Sequence, residues 1–146
     1  LIVNTTFWDR GKCLASLPYD LAKNAVNRLV YDMALELREY GVSAVAVSPG
    51  WMRTEAVLEF YGLPIDDTVR EVPDALRSTE SVFYVGRSVA ALAADPCVME
   101  RSGGVFPVGD LARAYGFTDI DGGQPPPTGS FPNIRRTRTR RDGRVG

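Results

Sequence analysis

Histidine is absent from all 146 residues. That excludes an imidazole general base: neither a Ser-His nor a Cys-His dyad can form, and a zinc site would lack its commonest nitrogen ligand. Cysteine is nearly as scarce. Cys13 and Cys97 lie far apart with no C-x-x-C pair, which argues against a disulfide framework and a thiol redox motif and makes reduced thiols the default. Lysine is down to two residues, Lys12 and Lys23, so any lysine-dependent chemistry has only two candidates. No apolar run approaches the roughly 20 residues that span a bilayer as a helix. The first residues also show no basic segment followed by an apolar core. Neither a membrane span nor a secretory leader is therefore expected, and a cytoplasmic location is the corresponding expectation. No internal repeat is present.

What remains is ordinary globular material, with 45% hydrophobic, 24% charged and 10% aromatic residues, enough to bury one domain's core. The formal net charge of -1 conceals an uneven distribution. Six arginines (Arg135, Arg136, Arg138, Arg140, Arg141 and Arg144) crowd the last twelve residues with one acid, Asp142. Without them the remaining chain is clearly acidic. No aromatic lies among these arginines to stack on bases, so the run reads as a solvated end and nucleic acid is not an expected partner. From Pro125 the Pro-Pro-Pro and Thr-Gly-Ser stretches have almost nothing to bury. The expected organisation is a folded region over 1–124 and a disordered Pro/Arg-rich tail over 125–146. The sequence opens at Leu1 inside an apolar run and without an initiator methionine, from which upstream truncation is expected.

Leu1-Ile2-Val3 followed by Asn4-Thr5-Thr6 predicts a parallel strand buried on both faces. After a loop holding Gly11 and Pro18, apolar Ala22, Ala25, Val26, Leu29, Val30, Met33 and Leu37 recur at three- and four-residue spacing. This predicts a helix of about five turns closed by Gly41. Val42 to Val47 then predicts a second strand that stops at Ser48-Pro49-Gly50, and strand, helix and strand in that order suit a parallel crossover. Residues 51 to 78 show no clean period and predict a long loop with short helical pieces, of the kind that covers a ligand. Thr79-Glu80 opens a second helical pattern with Val82, Phe83, Val85, Val89, Leu92 and Ala93 as its apolar face, ending near Asp95-Pro96. Gly103 to Val108 predicts a last short strand, and Leu111 to Tyr115 a helical turn or two. The fold class is thus α/β, with three strands and crossover helices forming part of a doubly wound, Rossmann-like parallel sheet.

Tyr19 and Lys23 stand four residues apart at the head of the first helix, which places both on one face. An ammonium held there favours the phenolate and makes tyrosine a usable acid/base. Chance would produce one such pair in roughly one chain in ten, so the spacing alone says little. Its setting says more. Thr6 lies thirteen residues before Tyr19 at the end of the first strand, and Pro49-Gly50 with Thr54 follow the second. Parallel strands end on one edge of their sheet, so these groups converge on one crevice.

In that arrangement, Asn4-Thr5-Thr6, Tyr19-x-x-x-Lys23 and Ser48-Pro49-Gly50-Trp51-Met52-Arg53-Thr54 resemble the serine-bearing strand end, the catalytic motif and the P-G-x-x-x-T turn of the short-chain dehydrogenase/reductase family. The resemblance covers about residues 1 to 123. Within the family, Glu36-Leu37-Arg38-x-x-Gly41-Val42-Ser43 and Leu111-Ala112-Arg113-x-Tyr115-Gly116-Phe117-Thr118-Asp119 are similar to the dehydrogenase/reductase member 1 type.

The resemblance implies an oxidoreductase in which Tyr19 exchanges a proton with a carbonyl or alcohol while NAD or NADP carries the hydride. It implies that Lys23 lowers the Tyr19 pKa and bonds the nicotinamide ribose, and that Thr6, in place of serine, polarises the carbonyl, with Thr5 close enough to compete for that role. It assigns the cofactor's nicotinamide end to Tyr19, Lys23, Pro49, Gly50, Met52 and Thr54. A small carbonyl or alcohol substrate and a homo-oligomer in the full-length form are implied as well. Trp51, Phe60 and Tyr61 fit either an apolar substrate or a core. The glycine-rich G-x-x-x-G-x-G turn, a residue selecting the adenosine ribose and an N-A-G segment are absent from the sequence. As given, the chain is therefore expected to bind cofactor poorly and to be inactive alone. The competing reading is a non-catalytic remnant serving as an interaction module through its arginine tail.

Overall fold

The computed structural model describes residues 1–8, 16–63, 76 and 78–125, with the side chain of Phe60 excepted. Of the expected Pro/Arg-rich tail over 125–146, residues 126–146, and with them the arginine run, lie outside the described residues. Three parallel strands, β1 (Ile2–Thr5), β2 (Ala44–Ser48) and β3 (Val105–Pro107), form one sheet in the order β1-β2-β3. Val3 stands opposite Val45 in the first pair and Val47 opposite Phe106 in the second.

β2 is the central strand and every one of its residues is buried. Its alternation divides the molecule. Val45 and Val47 join Tyr84, Leu92, Val108, Leu111 and Ala112 in the main core, which is contributed by α3 (Val82–Ala94) and α4 (Val108–Tyr115). Because side chains alternate along a strand, Ala44 and Ala46 face the other way. There α1 (Leu17–Glu36) packs on β2 with Val30 and Ala34 as its buried residues. Small residues on this face of the strand let the helix approach closely. Helices on both faces of a parallel sheet make the α/β, doubly wound architecture that the sequence predicts.

β1 departs from the expectation of burial on both faces: Ile2, Val3 and Asn4 are only half-buried and Thr5 is exposed. Among the described residues β1 pairs with β2 alone, so its outer edge carries no neighbour to exclude water. The strand also runs through Asn4 and Thr5, because β2 supplies hydrogen-bond partners that far.

α1 has the predicted length, with Pro18 in its first turn, where a missing N–H costs nothing. It ends through a 3-10 turn at Arg38–Tyr40 and Gly41 at φ +67°, a left-handed cap that glycine adopts without strain. Its buried face differs from the predicted stripe. Lys23, Val26, Asn27, Val30, Met33, Ala34 and Leu37 turn inward, while Ala22, Ala25 and Leu29 are exposed. α3 likewise begins later than expected, at Val82. Ser81 is its N-cap, the hydroxyl accepting from Phe83 N–H at 3.2 Å. Tyr84, Ser88 and Leu92 are its buried residues, and Val82 and Phe83 are exposed. Thr79 and Glu80 do not open this helix because their backbone pairs with the turn after β2 and with the guanidinium of Arg53. β3 is shorter than Gly103 to Val108: Gly103 takes φ +87° beside Ala34, and Val108 already starts α4.

Candidate active site

The C-terminal edge of the sheet collects the residues that the sequence motifs single out. Thr6 follows β1 directly, its N–H donating to Val47 O at 2.9 Å, and its side chain is buried at 2% exposure. The Thr6 hydroxyl donates to the backbone carbonyl of Lys23 at 3.0 Å. That bond ties the strand end to the second turn of α1 and brings Thr6, Tyr19 and Lys23 into one neighbourhood. It also occupies the hydroxyl proton that a carbonyl-polarising role would use. Thr5, one residue back, is exposed.

Tyr19 sits in the first turn of α1 with 41% of its surface exposed. Its ring meets Phe7 edge-on at 6.2 Å between centroids, and the Lys23 ammonium lies 5.6 Å from the ring centroid. The i, i+4 spacing thus delivers the juxtaposition it predicts. Lys23 is half-buried, and among the described residues no carboxylate pairs with its ammonium.

The turn after β2 starts from buried Ser48 and Pro49. Trp8 N–H donates to Ser48 Oγ at 2.9 Å, joining the segments that follow β1 and β2. Thr54 caps α2 (Glu55–Phe60) through its backbone: its carbonyl accepts from Val57 and Leu58 at 2.9 Å each, while its hydroxyl makes no capping bond. Met52 and Thr54 are half-buried. Of the aromatics in the predicted ligand-covering segment, Trp51 and Tyr61 are each 41% exposed, so neither is a core filler. Residues 64–75 and 77 of that segment lie outside the described residues.

A buried polar cluster beneath this turn escaped sequence reasoning. Arg53 occupies a variable position of the P-G-x-x-x-T turn, yet it is 8% exposed. Its guanidinium donates to Thr79 O at 2.8 Å and to Asp119 Oδ2 at 3.4 Å, with Asp121 at 3.6 Å. Asp119 also accepts from Ser81 N–H at 2.7 Å, from Ile120 N–H at 2.8 Å and from the Ser81 hydroxyl. Glu80 is 1% exposed, and neither of its carboxylate oxygens has a hydrogen bond of good geometry. Burial drives its pKa up to about 7, against the pull of the nearby Gly50 N–H, with Asp119 adding to the rise and Arg53 opposing it. Burial, with Glu80 and Asp119 nearby, pushes the Tyr84 phenol up to about 12. A lone arginine whose partner lies 66 residues away carries no periodic signal. The one hint in the sequence is the acid-rich Asp119-Ile120-Asp121 turn, which is unlike a helix end.

Comparison with known proteins bears on this arrangement. No protein-family model matches the chain. Dehydrogenase/reductase SDR family member 1 of Mus musculus is 44% identical over 110 residues, covering 73% of this chain and 35% of that protein. Its Homo sapiens counterpart is 39% identical over the same extent. The chain belongs to the short-chain dehydrogenase/reductase family. Solved structures of the family agree with its fold. Acetoin dehydrogenase YohF from Salmonella typhimurium superposes with a TM-score of 0.56 at 26% identity, over 72% of this chain and 41% of that one. A short chain dehydrogenase/reductase family protein superposes at 0.53 with 29% identity, over 72% and 42%. The chain spans about a third of the length of the curated relatives it matches, at 35% of each.

Proposed function

We propose that the protein is a nicotinamide-dependent oxidoreductase that interconverts a carbonyl and an alcohol, and that this chain supplies the proton-transfer residues and the nicotinamide end of the site. The observation that carries the reading is the joining of Thr6, Tyr19 and Lys23 through the Thr6–Lys23 hydrogen bond and the ammonium over the tyrosine ring, at the strand ends where α/β sheets bind ligands.

The residues present fit a nicotinamide. The Tyr19 phenol reaches solvent, the Lys23 ammonium has no competing carboxylate among the described residues, and the Thr54 hydroxyl is not spent on its helix. Bound NAD or NADP would supply the hydride in its reduced form when a carbonyl is reduced and would accept it in its oxidised form when an alcohol is oxidised. Tyr19 would give its proton to the carbonyl oxygen in reduction and take one from the alcohol in oxidation. Lys23 would favour the phenolate electrostatically and bond the nicotinamide ribose. Thr6, turning its hydroxyl from the Lys23 carbonyl, would polarise the substrate carbonyl. Backbone at Pro49, Gly50 and Met52, with the Thr54 hydroxyl, would hold the carboxamide. Exposed Trp51 and Tyr61 support an apolar substrate.

Two further parts belong to the same proposal. The adenine half of the cofactor requires a glycine-rich turn that this sequence lacks, so the 146-residue chain by itself is inactive. The working form is a homo-oligomer, which the exposed Leu17, Leu21, Leu29 and Leu35 of α1 support; a monomer by light scattering of the intact protein would contradict that part. A cytoplasmic setting completes the proposal, and no helix among the described residues is long and apolar enough to cross a membrane. The reaction is tested by following reduced nicotinamide in the intact protein against a panel of aldehydes, ketones and alcohols with NAD(H) and NADP(H). Turnover with at least one pair is expected. Absence of turnover with every pair, in a protein that binds either dinucleotide, would favour a non-catalytic module instead.

A further inference from the structure

We propose that Arg53, Glu80 and Asp119 are positioning residues that clamp the Gly50–Thr54 turn in the place where it meets the nicotinamide; this rests on the functional reading above. The turn is a short irregular segment that must offer its backbone to a ligand, and such a segment needs neighbours to define its geometry. Its own contents do not supply them, since Trp51 is exposed and Gly50, Met52 and Thr54 are only half-buried.

The fixing contacts come from far along the chain and are of three kinds. The first is backbone pairing. Arg53 N–H donates to Glu80 O at 2.7 Å and Glu80 N–H donates to Trp51 O at 2.8 Å, a parallel bridge centred on Met52 and Glu80. The second is the Arg53 guanidinium, which passes under the turn to Thr79 O and Asp119. With Asp119 fully enclosed and held by the Ser81 backbone and hydroxyl, the pair behaves as a rigid strut. Without Arg53, the enclosed Asp119 would lose its cation; without Asp119, Arg53 would keep only the more exposed Asp121 at 3.6 Å. The third is the Glu80 carboxylate, enclosed against the Gly50 N–H. The groups facing it are Arg53 of the turn, Asp119 of the segment after α4, and Tyr84 of α3. A charged or neutral Glu80 pulls differently on the one amide that leads into the cofactor turn.

A surface ion pair of this kind would be replaceable; a buried one that joins residues 53, 79, 81 and 119 to a single turn transmits any change directly to that turn. The strut therefore acts on where Met52 and Thr54 stand, and not on the proton-transfer pair, which sits on α1.

The test is fluorescence titration of the intact protein with NADH and NADPH, comparing wild type with Asp119→Asn and Arg53→Lys. Both variants are expected to raise the dissociation constant of the preferred dinucleotide about tenfold. Arg53→Lys keeps the charge and loses the forked geometry, so it reports on the strut even if Asp119→Asn fails to fold. Leu92→Ala, a core truncation remote from the strut, controls for loss of stability: it should lower the unfolding temperature and leave dinucleotide affinity unchanged. Variants that bind as wild type does, or an equal loss of affinity in Leu92→Ala, would overturn the positioning role. A wild-type protein that binds neither dinucleotide would instead overturn the functional reading on which it rests.

Discussion

Glu80 illustrates at the level of one residue how a buried group reports on its surroundings. Its pKa in the folded state is raised to about 7 from an ordinary value of 4.5, chiefly by burial, so the folded protein holds a proton that the unfolded chain releases. Stability from this group is fully present below the unfolded value and is lost as pH rises through the folded one, by about 3 to 4 kcal/mol in all. Denaturant unfolding of wild type should therefore show stability falling between about pH 5 and about pH 8, and Glu80→Gln should flatten that fall; an unchanged slope in the variant would refute the assignment. Asp95 has the opposite sign. The Tyr115 hydroxyl first, then the Cys97 N–H and Arg101, hold its pKa below the usual carboxylate range, so its contribution disappears only in more acidic solution, outside the Glu80 window.

Among the elements, the join between β3 and α1 is the most demanding. Gly103 N–H donates to Ala44 O at 2.7 Å, which brings the chain onto the end of β2. Gly103 holds φ +87°, and a Cβ there would stand 3.3 Å from the Ala34 Cβ of α1. Gly104 is tighter still: a methyl group added there would stand 2.5 and 2.6 Å from Phe106 ring atoms and 3.0 Å from Arg101 O. Gly103→Ala should cost about 1 to 3 kcal/mol from the left-handed backbone and the helix contact combined, read as a lowered urea midpoint. A midpoint equal to wild type would mean that α1 gives way there. The elements themselves were legible in the sequence wherever a period was clean. α1 shows its 3.6-residue repeat over twenty residues, and β2 its unbroken apolar run. Their faces were harder to read, because Leu17, Leu21, Leu29 and Leu35 of α1 are all exposed while Lys23 and Asn27 turn inward. In α3, two of the three buried positions are filled by Tyr84 and Ser88, which a hydrophobic count passes over, while Val82 and Phe83 are exposed.

For the molecule as a whole, the same division separates what sequence could and could not show of the site. Tyr19 and Lys23 were legible because a helix turns four residues into neighbours, and Thr6 and Pro49-Gly50 because parallel strands end together. The Arg53–Asp119 strut was not, since it joins a loop to a turn 66 residues on and follows no period. The commitment of the Thr6 hydroxyl to the Lys23 carbonyl is a side-chain choice that only the folded structure reveals. Together these contacts make the carboxyl edge of a three-stranded sheet into a surface with Tyr19 and Lys23 on one side and the Gly50–Thr54 turn, tied to Thr79, Glu80 and Asp119, on the other. The central claim is that Tyr19 moves the proton. It is tested most directly by the turnover number of Tyr19→Phe in the intact protein, measured with saturating dinucleotide and the best carbonyl substrate. A fall of about 10²- to 10⁴-fold is the predicted result, and turnover at a near wild-type rate would contradict the account.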